Sequence, residues 1–72
     1  MDQKVRTELE TLRQELHELI GKLDAQAEEI RREFHGIGSE YCAAELNDVA
    51  KEYRKLEKRL AAAITAAVQQ VI

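Results

Sequence analysis

The chain has 72 residues, with one cysteine, two histidines and no proline, and its 11 basic against 14 acidic residues give a net charge of −3. A domain this small buries only about 60% of its unfolded surface and usually needs a disulfide, a metal or a partner. One cysteine excludes an internal disulfide, the acidic balance argues against general attraction to nucleic acid or membrane surfaces, and no apolar run approaches the roughly 18–20 residues of a membrane span.

The start, MDQKVRTELE, is polar from its first residues, so no signal peptide is expected and a cytoplasmic location is the default expectation. Abundant Ala, Leu, Glu, Lys and Arg favour helix throughout. In the first segment apolar residues fall at Val5, Leu9, Leu12, Leu16, Leu19 and Ile20, Leu23, Ala27, Ile30 and Phe34. This stripe steps by about 3.63 residues, the period of a nearly straight α-helix, and would run about 44 Å. A first helix over about residues 3–35 is expected. Gly21 falls on its outer face, at a cost of about 1 kcal/mol relative to alanine that the sequence does not explain.

Residues 36–39 are expected to form the turn. Gly36 or Gly38 can take the left-handed conformation that ends a helix, and Ser39 is the expected N-cap of the next one. So short a connection folds the second helix, about residues 40–71, back antiparallel to the first. Its stripe runs through Cys42, Leu46, Val49, Tyr53, Leu56, Leu60, Ala63 and Ile64, Ala67 and Val71, with Val68 beside it. Stripes of equal length permit a register that sets Phe34 against Cys42, Ile30 against Leu46, Ala27 against Val49, Leu23 against Tyr53, and Leu16 against Leu60.

The expected architecture is therefore all-α: one domain over residues 1–72, an antiparallel two-helix hairpin that associates into a four-helix bundle. Two helices leave each stripe half covered, and a second hairpin would add burial without ordering more residues per chain. The uncharged end, LAAAITAAVQQVI, suits contact with another helix. Leu9, Leu12, Leu16, Ile20, Leu23, Ile30, Phe34, Leu46, Val49, Tyr53, Leu56, Leu60, Ile64, Val68 and Val71 are the expected interface, with a second hairpin of the same or another chain as partner.

No catalytic, metal or cofactor site is expected. Cys42 lies on the core stripe and reads as a buried, inert thiol. His17 points outward and His35 lies at the turn, about 27 Å away along a helix. The Glu-x-x-His pattern of di-iron bundles is absent, since Gln14 and Arg32 stand where the glutamates would be. No acid falls on either stripe. Lys51, Arg54, Lys55, Lys58 and Arg59 form a basic band, but Asp48, Glu52 and Glu57 intersperse it and no aromatic side chains accompany it. A solvated face, or one meeting acidic residues of a partner, fits it better than nucleic acid.

Phe34-His35-Gly36 at the turn resembles the aromatic-x-Gly of WXG-type helical hairpins exported by type VII secretion systems, and the chain is similar to the small helical partners of LXG toxins. The resemblance implies homodimeric or heterodimeric four-helix bundles and export without a cleaved signal peptide, or escort of a larger cargo. By position, Phe34 replaces the tryptophan and Gly36 is the turn glycine. Tyr53 and Glu57 match the Tyr-x-x-x-Asp/Glu export signal in letters, although Tyr53 lies within the second helix and not near its end.

Overall fold

A computed structural model describes residues 2–69 as two helices, α1 (Gln3–Glu33) and α2 (Ile37–Gln69), folded against each other as a hairpin. Asp2 caps α1, its carboxylate accepting from the Lys4 N–H at 3.3 Å, which satisfies one of the donors that a helix start leaves open. Arg31 and Arg32 lie in the last turn, where a positive charge suits the helix dipole.

The turn is shorter and earlier than residues 36–39. Phe34 leaves α1 in an extended conformation (φ −125°, ψ 140°) with its N–H still bonded to the Ile30 carbonyl at 3.0 Å. Gly36 has φ +150°, a value that disfavours side chains. Its carbonyl accepts the first helical bond of α2, from the Glu40 N–H at 3.1 Å. Ser39 is therefore not the N-cap: it sits inside the first turn, its hydroxyl donating to the Gly36 carbonyl at 3.1 Å. Gly38 is likewise helical.

The molecule is a rod of 57 × 16 × 11 Å, one helix layer thick. Its radius of gyration is 16.5 Å, against about 11 Å for a compact domain of this length. Among the described residues the buried core is Ile20, Ala27, Ala43, Ala50 and Ile64. With the half-buried positions they form a seam, through Leu9, Arg13, Leu16, Ile20, Leu23, Ala27 and Ile30 on α1 and Ala43, Leu46, Ala50, Tyr53, Glu57, Leu60, Ile64 and Ala67 on α2.

That seam departs from the expected stripes in two ways. Its steps alternate between three and four residues, so it repeats at about 3.5, the heptad period of a left-handed coiled coil, not at 3.63. It also takes Ala43 and Ala50 where Cys42 and Val49 were expected, and it admits a charged pair, Arg13 and Glu57. Following apolar letters alone moved the stripe one residue away from the seam at several turns. Small alanines at these positions let two helices approach closely.

Candidate interaction surface

The seam divides the hairpin into two unlike flanks. In an antiparallel pair, the residues four positions after Arg13, Ile20, Ala27, Ala43, Ala50, Glu57 and Ile64 lie on one side of both helices, and the residues just before them lie on the other.

The first flank is polar and joined. Arg31 donates to Glu40 at 3.2 Å and to the Asn47 side-chain Oδ1 at 2.7 Å, and the Asn47 side-chain NH2 donates to Asp24 at 3.0 Å. Arg54 pairs with the other Asp24 oxygen. Glu40, Arg31, Asn47, Asp24 and Arg54 thus form a ladder that crosses between the helices at each step. Further along the rod, Glu57 accepts from Arg13 at 3.3 Å and lies 3.2 Å from His17 Nδ1. The Arg54 guanidinium, then the Asn47 amide, hold the Asp24 carboxyl below its ordinary range.

These bonds also set the register. Asp24 reaches both Asn47 and Arg54, so it lies level with the residues midway between them, beside Ala50. Arg31 spans Glu40 and Asn47, and Glu57 spans Arg13 and His17. Leu23 is thereby level with Ala50 or Lys51 instead of Tyr53, a shift of about half a turn from the expected pairing. Arg54 and Lys55 of the basic band are both engaged, Lys55 with Glu52 at 3.2 Å.

The second flank is apolar and open. Val5 (43% exposed), Leu12 (55%), Leu19 (43%), Val49 (38%) and Leu56 (47%) lie along it, and Cys42 and Ala63 occupy the same flank, both exposed, with Gln26 the one polar residue among them. Cys42 is thus not the buried thiol that its place on the stripe suggested. Of the expected interface residues, Ile20 and Ile64 are buried within the hairpin, and Leu9, Leu16, Leu23, Ile30, Leu46, Tyr53, Leu60 and Val68 are half-buried along or beside the seam. Leu12, Val49 and Leu56 lie on the open flank, while Phe34 (59% exposed) stands at the turn near Ile37 and Tyr41. Val71 lies outside the described residues.

Sequence reasoning missed Glu57 and Arg13 as seam residues and Asn47 as the centre of the polar ladder. The signal that could have found them is the strict seven-residue recurrence of Ala43, Ala50, Glu57 and Ile64. Gly21 is exposed with no atom near where a Cβ would stand, so nothing in the hairpin explains it.

Among the described residues no helix is long and apolar enough to cross a membrane, and no three His, Cys, Asp or Glu side chains gather as metal ligands. Comparison with protein families, with curated proteins and with solved structures gave no match.

Proposed function

We propose that the protein is a non-catalytic interaction module whose hairpin forms half of a four-helix bundle, the other half coming from another helical hairpin. The observation that carries this reading is exposed area. The chain presents 5547 Å² of accessible surface, where a folded monomer of 8.2 kDa presents about 4,500 Å². The excess, about 1,000 Å², is of the size that one partner loses in a standard interface, about 800 Å². A row of leucines and valines at 38–55% exposure lies where that interface would form.

A dye that reports exposed apolar surface, combined with thermal unfolding at several concentrations, tests the reading. The module should either bind dye as a monomer or associate with loss of dye binding. A cooperatively folded monomer that binds no dye would show the hairpin to be complete and would end the proposal.

The resemblance at Phe34-His35-Gly36 extends the reading to a small type VII secretion substrate or escort. Expression in a host with an active type VII system should then place the chain in the culture medium; complete retention in the cells removes this version and leaves the interaction module standing.

A further inference from the structure

We infer that the occupant of the open flank is a second copy of this chain, laid antiparallel along it about a two-fold axis that passes beside Leu19 and Leu56. This rests on the interaction-module reading and adds which face is used, by whom, and in which direction.

In the register set by the polar ladder, the flank reads along the rod as Val5, Ala63, Leu12, Leu56, Leu19, Val49, Gln26 and Cys42. Leu56 and Leu19 lie at one level, so a two-fold axis beside them sets each against its own copy.

Charge points to the same axis. Glu15 lies beside Leu12 and Leu19, and Lys22 beside Leu19, at the three- and four-residue spacings that bring side chains together on a helix. On α2, Glu52 lies beside Val49 and Leu56, and Arg59 beside Leu56. All four are exposed. The midpoint of Glu15 and Lys22 and the midpoint of Glu52 and Arg59 fall at one level of the rod, next to Leu19 and Leu56. A two-fold axis there sets Glu15 of each copy opposite Lys22 of the other, and Glu52 opposite Arg59. The four pairs close together with the leucine contact. Glu8 and Glu29 also come opposite one another near the ends, where Arg32, 3.0 Å from Glu29, offsets their repulsion. Laying the copies parallel turns α1 onto α2 of the other copy and satisfies neither pair by symmetry.

Sedimentation of the purified chain and its variants between about 1 and 100 µM decides the matter. The chain should be a dimer of about twice 8.2 kDa. Leu19→Asp and Leu56→Asp should each weaken it about a hundredfold or more while the helical spectrum persists at high concentration. Glu15→Lys or Lys22→Glu alone should weaken it about tenfold, and the two together should return it to within about threefold of the starting value. Residues seven apart on one helix do not touch, so the rescue reports contact between copies. With Cys42→Ser and Lys4→Cys, a spin label at position 4 should lie more than about 40 Å from its mate, from the rise of an α-helix; a separation under about 30 Å would mean parallel copies and overturn the orientation. A dye-binding monomer at all concentrations overturns the second copy but leaves the module reading, whereas a monomer that binds no dye ends both. A dimer indifferent to Leu19→Asp and Leu56→Asp, or to the charge exchange, overturns the face or the axis.

Discussion

Asp24 is central to the polar flank, because it accepts bonds from two side chains of α2, Asn47 and Arg54. Its carboxyl titrates below the ordinary 3.8, chiefly through the Arg54 bond and then through Asn47. A depressed acid contributes stability that is fully present above its unfolded pKa and is lost as pH falls through the folded one. Asp24→Asn should therefore lower stability at pH 7, and the difference from the parent should vanish as acid denaturation proceeds below pH 3.8, as urea unfolding followed by circular dichroism will show. Glu33 has the opposite sign: a bond to Glu29, and then repulsion from it, raise its carboxyl above 4.5. Its contribution is complete below that value and lost as pH rises through the folded one, so Glu33→Gln should abolish a gain that the parent shows on acidification towards pH 4.5.

At the scale of the element, the two glycines that look alike in sequence should respond with opposite signs. Gly36 at φ +150° holds the turn in a region costly to a side chain, so Gly36→Ala should destabilise by about 1–3 kcal/mol. Gly21 is helical, exposed and clear of neighbours, so Gly21→Ala should stabilise by about 0.5–1 kcal/mol; thermal midpoints of the two variants check both. Within the seam, Arg13 and Glu57 interrupt an otherwise apolar or small-residue repeat, with the Glu57 side chain only 16% exposed. Replacing both with leucine should leave stability equal or higher, since desolvating the pair offsets its attraction. A polar layer of this kind specifies register at some cost in stability. The doubly substituted chain should accordingly show slower or multiple unfolding phases and a loss of unique pairing, read from the dispersion of its amide NMR spectrum.

For the whole molecule, the governing quantity is surface. Among the described residues only five are buried; in a rod one layer thick they give little core, and association should supply what is missing. The thermal midpoint should rise with concentration, by roughly 3–8 °C per tenfold for a dimer of this size. A midpoint constant over two decades in a chain that binds no dye would show a self-sufficient monomer. Heteromeric docking would instead leave the lone chain constant in midpoint yet open to dye.

The helices and their antiparallel return were legible in the sequence, and the turn to within two or three residues, because composition, the absence of proline and Gly36 act locally along the chain. Leu16, Ile20, Leu23, Leu46 and Leu60 were legible as seam residues for the same reason: they recur on one helical face whatever the partner. The seam's true membership was not. Whether Leu12 or Arg13, Cys42 or Ala43, Val49 or Ala50 faces inward depends on the supercoil that two helices adopt together, and a difference of one residue turns a side chain by about 100°. Only the tertiary structure decided that, and with it the division of the rod into a bonded polar flank and an open apolar one. The local periods of each helix were consistent with several faces; the close approach permitted by Ala27, Ala43 and Ala50, together with the Asp24 ladder, selected one.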